Sequence, residues 1–515
     1  MVKSSKPLFM GIDLGTQGVR VGIFTLEGDC LAMASEHYRT SYPEVGWAEQ
    51  QPQDWWQALT NCSRQVTAQI NNKEDITALT VCATSSTVVA VDAAGEPLGN
   101  AILWMDSRAK EEQEIINNTG HEVLQYSGGG VSVEWMVPKL LWLKRNRQDI
   151  YAKAAKVVEA LDWVNFKLTG NWAASKCNAG CKWNYVDTKG GWNAQFFEQI
   201  GLADAEEKWP DKVLAMGEVV GELTDAAAIQ LALPQGVKVV QGGIDAHTGM
   251  LGLGVTEPGS LAVIMGTSFV HLALTEKPLY APGLWGPYPN VITADRWLIE
   301  GGQISAGSIT KWFQDNFAKD LALDEDNVYA KLAEEAAGVP PGADGLVVLD
   351  FWQGNRTPYR DPSLSGAVWG LNLHHSRGHI YRAILEAVGY GTRNILQVFA
   401  DHGHPVKEMA ACGGVTKNAM WLQIIVDICQ IPITVTQFSE AGILGSAVAA
   451  SVGSGYYKDF TEAANQMVIR DRVVQPNAEN KELYDFYFDK YQKTYEALAP
   501  LMHTMANGKG MIQDE

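Results

Sequence analysis

Two short turns in this chain combine glycine with threonine in the way that a phosphate-binding loop requires. Residues 15–18, Gly-Thr-Gln-Gly, follow an apolar run, and residues 266–268, Gly-Thr-Ser, repeat the pattern in the second half. Such turns offer backbone N–H groups and a hydroxyl to a phosphate chain, although hairpin turns favour the same residues. Two of these turns, one in each half, could face each other across a cleft and hold one triphosphate.

A carboxylate and an imidazole follow a different turn. The apolar run 237–241 ends at the glycine pair Gly242 and Gly243, and Asp245 and His247 come directly afterwards. A glycine pair lets a ligand or another backbone come close, and an aspartate beyond a strand end can accept a proton from a substrate hydroxyl. The competing interpretation makes Asp245 a helix N-cap and gives His247 a packing role.

Another glycine pair, Gly413 and Gly414, precedes Asn418 at the start of a predicted helix. A backbone surface of this kind suits a flat base or a ribose, and the alternative is a plain turn between strand and helix. The chain contains no GxxxxGK[ST] loop and no strand-linked GxGxxG that opens a helix. The sequence therefore disfavours an ordinary P-loop NTPase and a dinucleotide-dependent dehydrogenase.

The elements that must position these turns follow an α/β pattern. Residues 8–12, 19–24 and 30–34 predict three antiparallel strands, and residues 259–265 and 270–275 start a similar meander. Two meanders with a Gly-Thr turn at the same bend predict a duplicated architecture, with the domain boundary near residue 256. Helices are predicted further on, over residues 309–317, 328–337 and 380–400, over 418–429, and from residue 481 onward.

Composition sets limits on the class of protein. The 515 residues are too many for one ordinary core, and 46% hydrophobic with 19% charged residues is typical of a globular chain. The formal net charge of -19 disfavours nucleic acid as a partner, but it does not exclude ATP, whose site uses local N–H groups and Mg²⁺. No signal peptide and no run long enough to span a bilayer is present, which predicts a cytoplasmic protein.

The seven cysteines are scattered, and this predicts reduced thiols. Cys177 and Cys181 form a CNAGC pair, but no second pair and no nearby histidine in the sequence completes a zinc site. Metal ligation by this pair is therefore not expected.

Taken together, the motifs resemble the FGGY carbohydrate kinases. Six segments match the family in order: GIDLGTQGVR at 11–20, AILWMDSRA at 101–109, GGIDAHTG at 242–249, MGTS at 265–268, ACGGVTKNAMWLQIIVDI at 411–428 and EAGILGSAVAA at 440–450. The family's fold is a duplicated actin-like ATPase with a ribonuclease-H-like core in each domain. The resemblance thus implies an α/β chain whose domains, 1–256 and 257–515, have a cleft between them.

The resemblance also implies a role for individual residues, with ATP and Mg²⁺ as cofactors. The first phosphate loop would comprise Gly15, Thr16, Gln17, Gly18 and Arg20, and Asp13 would act through Mg²⁺ or its water shell. The rest of the nucleotide site would comprise Gly266 and Thr267 at the phosphates, Gly307 and Lys311 beside them, and Gly414 and Asn418 under the adenosine. Asp245 would be the catalytic base. Gln17 and Lys311 are not the residues of the glycerol kinase branch, which makes glycerol a poor candidate substrate.

Four further segments resemble the ribulokinase branch: ATSSTVVAVD at 83–92, SVEWMVPKLLWLK at 132–144, KCNAGCKWNY at 176–185 and DFWQGNRTPYRDPSLSG at 350–366. Xylulose kinases carry Met-His where this chain has Ser85 and Ser86. The implied sugar-binding set is Ser85, Ser86, Lys182, Asp245 and Glu300, with Glu300 predicted to end a strand over 297–299. The alternative for Lys182 is a solvated surface lysine.

The predicted reaction is the phosphorylation of D-ribulose to D-ribulose 5-phosphate. Kinases for L-ribulose, xylulose or erythritol stay open, as do an actin-like ATPase acting on a protein partner and a noncatalytic sugar-binding regulator. The expected partners are a small sugar and ATP, without nucleic acid or membrane. The sequence leaves the oligomeric state open, with a homodimer among the alternatives.

Overall fold

A computed structural model of the chain describes residues 6–321 and 328–508. The strands of the N-terminal half are β1 Leu8–Leu14, β2 Gly18–Phe24, β3 Cys30–His37, β4 Glu49–Gln50, β5 Ile76–Ala83, β6 Val88–Val91, β7 Ala101–Ile102, β8 Lys156–Glu159, β9 Ala174–Ser175, β10 Val213–Leu214, β11 Val219–Glu222 and β12 Lys238–Val240. Its helices are α1 Pro52–Thr67, α2 Lys110–Asn117, α3 Met136–Asn146, α4 Gln148–Lys153, α5 Ala160–Thr169, α6 Lys176–Lys182, α7 Ala194–Gln199, α8 Ala205–Lys208, α9 Asp225–Leu231 and α10 Asp245–Gly252.

The C-terminal half continues the alternation of strands and helices. Its strands are β13 Ser260–Met265, β14 Phe269–Thr275, β15 Trp285–Pro289, β16 Trp297–Gln303, β17 Val347–Leu349, β18 Ala367–Trp369, β19 Glu408–Cys412, β20 Ile433–Thr436 and β21 Arg470–Val474. Its helices are α11 Gly307–Phe317, α12 Val328–Ala337, α13 Arg377–Asp401, α14 Ala419–Cys429, α15 Ala441–Gly453, α16 Phe460–Met467 and α17 Lys481–Gly508.

Two large mixed sheets share a topology of six strands, to which the second sheet adds β15 at one edge. The first has the strand order β11-β12-β5-β1-β2-β3, and the second has the order β15-β16-β14-β13-β19-β20-β21. In each sheet an antiparallel meander of three strands is extended on its other side by two parallel strands. The duplicated α/β architecture predicted from the two meanders is therefore confirmed.

Burial of the strands follows their place in the sheet. The central strand β5, which parallel neighbours flank on both sides, is almost wholly buried. Edge strand β3 instead alternates buried and exposed residues, because only one of its faces is covered. The covering helix α1 turns Trp55, Leu59 and Cys62 toward that face at the spacing of a helix stripe.

Two helices that follow the last parallel strand of each half cross in backbone contact. A Cβ added to Gly252 of α10 would lie 2.1 Å from the carbonyl oxygen of Ala441, and one added to Gly445 of α15 would lie 2.0 Å from that of Thr248. Only glycine allows such an approach at these two positions. Helix α15 also lies against β1, where a Cβ on Gly11 would meet the Ile443 carbonyl oxygen at 1.9 Å. The C-terminal half thus contributes a helix to the N-terminal core, and the boundary near residue 256 stays a prediction.

Two details of the predicted elements are refined by the structure. Helices expected over residues 328–337 and 380–400 are present as α12 and α13, with α13 a few residues longer at its start. The predicted strand over residues 297–299 is too short, because β16 continues to pair with β14 as far as Gln303. Glu300 therefore lies within a strand. Among the described residues, no helix is both long and apolar enough to span a membrane.

Candidate active site

A cleft cavity of about 530 Å³ lies where the carboxyl ends of the central strands of both halves meet. Both halves contribute residues to its lining. The lining comprises Asp13, Thr16, Arg20, Thr84, Ser85, Trp104, Glu134, Trp135, Lys182, Ile244, Asp245, Ala246, His247, Gly249, Ile264, Ser268, Val270, Glu300, Arg356, Cys412, Gly413, Ser439, Glu440, Ala441 and Gly442. The structure thus brings together residues that the sequence separates by more than 400 positions.

Asp245 is the first residue of α10 and not its cap. The helix is capped by Ile244 without a side-chain hydrogen bond, so the N-cap interpretation of this aspartate is wrong. Its carboxylate accepts one hydrogen bond from the Ala246 N–H at 2.7 Å. Burial raises the pKa of Asp245 above its usual value, and the Ala246 N–H and His247 offset only part of the rise. A buried carboxylate of raised pKa at a cavity wall is suited to receive a proton.

Asp13 lies near the end of β1 and pairs with Arg20 across the first hairpin. The register places the two residues opposite each other, and an Arg20 Nη1–H donates to Asp13 Oδ2 at 3.2 Å. Arg20 also lies 3.5 Å from Glu440 of the C-terminal half. Burial and then the charge of Asp245 raise the pKa of Asp13 to about 7 in spite of this arginine. The cleft therefore holds two carboxylates that repel each other.

The turn between β1 and β2 is held by its neighbours. Thr16 Oγ1 accepts a hydrogen bond from the Trp104 indole at 2.9 Å, and its carbonyl accepts one from the Gln50 amide at 2.8 Å. Of the five loop residues predicted to touch nucleotide, only Thr16 and Arg20 line the cavity. Gly15, Gln17 and Gly18 do not line it.

Gln17 and Gly18 have other surroundings. The Gln17 side chain is exposed, and its carbonyl accepts the Tyr38 N–H at 3.2 Å. A Cβ on Gly18 would lie 2.4 Å from the Glu36 carbonyl oxygen, so this glycine is required by the close approach of β3.

Lys182 and Glu300 form a buried ion pair between the two halves. The Lys182 ammonium lies 3.2 Å from Glu300 Oε2 and 4.8 Å from the centre of the Trp135 ring. His247 Nε2 lies 3.6 Å from the same carboxylate oxygen. Burial alone would raise the pKa of Glu300, but Lys182 and His247 outweigh it and hold that pKa well below its usual range. The interpretation of Lys182 as a solvated surface lysine is wrong.

The fold brings a histidine to the cysteine pair that the sequence left incomplete. Cys177 Sγ lies 3.3 Å from His247 Nδ1, and Cys181 Sγ lies 3.8 Å from the same nitrogen. All three residues are buried. No histidine is near this pair along the chain, because 62 residues separate α6 from α10 in the sequence. In the fold the two helices are adjacent, and His247 reaches both cysteines.

The two serines after β5 differ in placement. Ser85 lines the cavity, and its hydroxyl donates to Glu159 Oε1 at 3.1 Å. Ser86 is fully buried outside the cavity lining, where its carbonyl accepts a hydrogen bond from the Lys139 ammonium at 2.8 Å. The structure therefore supports contact with a ligand for Ser85 and a positioning role for Ser86.

A second cavity of about 950 Å³ opens in the C-terminal half. Its walls are mostly apolar, and all six residues that the resemblance assigns to the C-terminal nucleotide site line it: Gly266, Thr267, Gly307, Lys311, Gly414 and Asn418. The other lining residues are Met265, Thr310, Tyr329, Ala330, Ala333, Glu334, Ala337, Tyr381, Val415, Lys417, Ala419, Met420 and Trp421.

The glycines of this second cavity differ in the space that surrounds them. The start of α11 lies on the turn 266–267, where a Cβ on Gly307 would come within 2.5 Å of the Gly266 carbonyl oxygen. Gly414 has open space instead, since a Cβ there would meet no atom within 4 Å. Asn418 caps α14 by accepting the Trp421 N–H at 3.0 Å, and the Lys311 ammonium pairs with Asp315 at the surface.

The two cavities share the same two strand ends. Gly266, Thr267 and Gly414 line the second cavity, whereas Ser268 and Gly413 line the cleft. A ligand with a flat apolar end and an anionic chain could therefore lie in the second cavity and extend over these turns toward Asp245.

Several residues of the cleft lining were not identified from the sequence, among them Trp104, Glu134, Trp135 and Arg356. Each lies inside a segment whose resemblance was noted, so a signal for them existed. What the sequence lacked was a reason to select them from their neighbours. Trp135 in particular begins α3 as its cap residue and contacts Lys182 only through the fold.

Comparison with known proteins covers most of the chain. Models of the N-terminal and C-terminal domains of the FGGY family of carbohydrate kinases match residues 8–252 and 261–454. An FGGY carbohydrate kinase domain-containing protein of Xenopus laevis is 32% identical over 96% of this chain and 98% of that protein. A ribulokinase of Geobacillus thermodenitrificans is 31% identical over 95% of this chain and 94% of that enzyme. The solved structure of a xylulose kinase from Rhodospirillum rubrum aligns with a TM-score of 0.87 and 25% identity, covering 96% of this chain and 100% of that one.

Proposed function

This chain belongs to the FGGY family of carbohydrate kinases, and we propose that its acceptor is a pentulose, with D-ribulose preferred. The family resemblance and the actin-like ATPase fold expected from it are confirmed, and the chain is a phosphotransferase that uses ATP as donor. The observation that carries the proposed acceptor is the buried pair of Lys182 and Glu300, which lines the same cavity as Asp245.

The second cavity suits the nucleoside end of ATP. Its apolar walls, which include Tyr329 and Tyr381, can cover a purine, and the open space at Gly414 leaves room for a flat ring. The backbone N–H groups of residues 306–308, at the start of the 11-residue helix α11, donate to the carbonyl oxygens of Gly266 and Thr267 and so order this turn. The positive end of the helix dipole therefore lies beside the turn and favours an anion there. The triphosphate would then pass over Thr267 into the cleft.

Asp13 is the residue best suited to hold Mg²⁺ beside the phosphates. Its carboxylate is buried next to Asp245 with too little positive charge, which is why its pKa rises to about 7. Oxygen ligands from one carboxylate, together with phosphates and water, are what Mg²⁺ prefers. When bound, the ion would neutralise charge that develops on the phosphoryl oxygens.

The chain's own residues then act on the acceptor. Asp245 accepts the proton of the attacking hydroxyl as the bond from its oxygen to the γ-phosphorus forms and the bond to ADP breaks. Arg20 and the backbone of the two turns hold the phosphate chain in line. The aromatic walls at Trp104 and Trp135 exclude water, which would otherwise compete as acceptor.

The polar groups of the cleft fit an acceptor with several hydroxyls. Lys182 can donate to sugar oxygens, Glu300 can accept from sugar hydroxyls, and Ser85 and Arg356 lie on the same wall. Ribulokinases at 31% identity support a ketopentose, and D-ribulose would give D-ribulose 5-phosphate. L-ribulose, xylulose and erythritol are the competing acceptors.

The test is a panel of acceptors with ATP and Mg²⁺, with ADP formation followed by a coupled assay. We expect D-ribulose to give the highest kcat/KM and glycerol to be poor, because a site that pairs each hydroxyl leaves its own groups unpaired with a shorter ligand. The Asp245→Asn protein, purified in the same way, controls for contaminating kinases. A higher kcat/KM for glycerol than for every pentulose would overturn the proposal, and ADP release that no sugar stimulates would favour an ATPase.

A further inference from the structure

Beyond the kinase reaction, one buried cluster has the composition of a metal site. Cys177 and Cys181 lie one helical turn apart on α6, and His247 on α10 faces them both. Their three ligand atoms lie within 4.8 Å of one another. Neither thiol has a part in the transfer of phosphate described above.

The spacing of the ligand atoms matches tetrahedral coordination. With a Zn–S bond of about 2.3 Å and a Zn–N bond of about 2.05 Å, a tetrahedral angle separates sulfur from nitrogen by about 3.6 Å. The observed separations from His247 Nδ1 are 3.3 Å to Cys177 Sγ and 3.8 Å to Cys181 Sγ. Both separations between sulfur and nitrogen thus differ from the tetrahedral value by only a few tenths of an ångström.

The other side of the imidazole supports the same conclusion. Ligating histidines usually donate their second ring N–H to a carboxylate, which fixes the tautomer and directs the free nitrogen at the metal. Here His247 Nε2 lies 3.6 Å from Glu300 Oε2 while Nδ1 points at both sulfurs. Glu300 is in turn held by Lys182 at 3.2 Å. This arrangement is independent of the spacing between sulfur and nitrogen.

We propose that Cys177, Cys181 and His247 form a binding site for a thiophilic divalent cation, with zinc as the occupant. Two thiolates and an imidazole select zinc over Mg²⁺ or Ca²⁺, which take oxygen ligands. His247 lines the cleft cavity and gives the ion a route from solvent. An occupied site would tie α6, which carries Lys182, to α10, which carries Asp245.

Zinc requires Cys177 and Cys181 as thiolates and His247 as a neutral imidazole. Binding replaces the proton shared within this cluster by the cation, so it should release protons and strengthen as pH rises.

The direct test is titration of the full chain with Co²⁺ under a non-thiol reductant, with absorption as the readout. Cobalt bound by thiolates gives an intense near-ultraviolet charge-transfer band, which carboxylate and histidine ligands do not give. We expect one equivalent of Co²⁺ to produce the band and Zn²⁺ to abolish it. Cys177→Ser and Cys181→Ser should each lose the band, whereas Cys62→Ser, a buried thiol on α1, should keep it.

Two further measurements keep the proposal open to refutation. The exposed group Asp344, His374 and His379 is a second place where a cation could bind, so His374→Ala must leave the band unchanged. Because an ion that binds only the folded chain stabilises it, the Tm of the unaltered protein should also rise by a few degrees with excess Zn²⁺. Absence of the band in the unaltered protein, or its persistence in both Cys177→Ser and Cys181→Ser, would overturn the site. Neither readout needs a sugar, so failure of the proposed acceptor leaves this test unaffected.

Discussion

The turns at residues 15–18 and 266–268 occupy the same place in two sheets of the same topology, yet their surroundings differ. The first is tied by Trp104, Gln50 and Tyr38 and opens on a cleft lined by charged groups. The second supports a helix start and opens on an apolar cavity. The shared topology determines where the strands end. The segments that surround each strand end determine which groups a ligand would meet there.

From this difference we expect the cleft to determine the rate of phosphate transfer and the second cavity to determine the affinity for nucleotide. Asp13, Lys182, Asp245 and Glu300 all lie on the cleft side, and their charges act on one another in a buried setting. The second cavity is lined by few charged side chains, so we expect its contribution to nucleotide binding to come from its shape and its apolar walls. Substitutions on the two sides should therefore change different kinetic constants.

The largest effect is expected at Asp245. Asp245→Asn should bind nucleotide normally while kcat falls by about 10²–10⁴-fold, the usual loss when a general base is removed. The matched control is Asp225→Asn, an exposed aspartate at the same first position of α9. Steady-state kinetics with the best acceptor and nucleotide binding by calorimetry check both parts. A near-normal kcat in Asp245→Asn would contradict the assignment of Asp245 as the general base on the cleft side.

The next effect is expected at the pair of Lys182 and Glu300. Lys182→Met and Glu300→Gln should each raise the sugar KM by about 10–100-fold, because each change removes a fixed partner for a sugar oxygen and leaves the other charge uncompensated. The ATP KM should stay nearly constant. Lys176→Met removes the half-exposed partner of Asp187 from the same helix and serves as the control. A rise in the ATP KM of equal size would contradict the assignment.

On the nucleotide side, Gly414→Val should raise the ATP KM by about tenfold without lowering Tm. A Cβ at this position meets no atom within 4 Å, so the added side chain fills only the cavity. Gly18→Ala is the informative contrast, since its Cβ would lie 2.4 Å from a backbone oxygen of β3. It should lower Tm with little change in the ATP KM. The reverse outcome in the two variants would show that the first turn, and not the second cavity, holds the nucleotide.

The smallest effect is expected at Lys311 and Gln17, both assigned to the nucleotide by resemblance. Lys311 is exposed and paired with Asp315, and the Gln17 side chain is exposed outside both cavities. Lys311→Met and Gln17→Ala should therefore change the ATP KM by no more than about threefold, since solvated groups contribute little. A tenfold rise in Lys311→Met would mean that this lysine contacts the nucleotide in spite of its pairing with Asp315. A tenfold rise in Gln17→Ala would mean that the first turn reaches the nucleotide beyond its cavity lining.

Sequence patterns predicted much of this fold because its central elements are locally encoded. Apolar runs flanked by glycine turns located β1, β2, β13 and β14, and the family resemblance gave six residues that line the second cavity. The position of Glu300 was less accurate, because glycines at 301–302 look like a strand end but pair with β14. Pairing of that kind is decided by a partner strand 30 residues away.

Contacts between distant segments were beyond the reach of pattern and spacing. Nothing near Cys177 in the sequence indicates His247, and nothing near Lys182 indicates Trp135. Both contacts depend on how the inserted helices pack against the two sheets. The direction of an exposed turn residue such as Gln17 is likewise set by tertiary contacts of its backbone, here with Tyr38.

The glycine crossing of α10 and α15 has a consequence for the evolution of the chain. Gly252 and Gly445 each admit a carbonyl of the opposite helix where even a methyl group would collide. Because the atoms in the way belong to the backbone, a smaller side chain on the opposite helix cannot make room for a bulkier residue at either glycine. A chimera that takes one half from a relative should therefore preserve this crossing only when the donor carries glycine at the corresponding position.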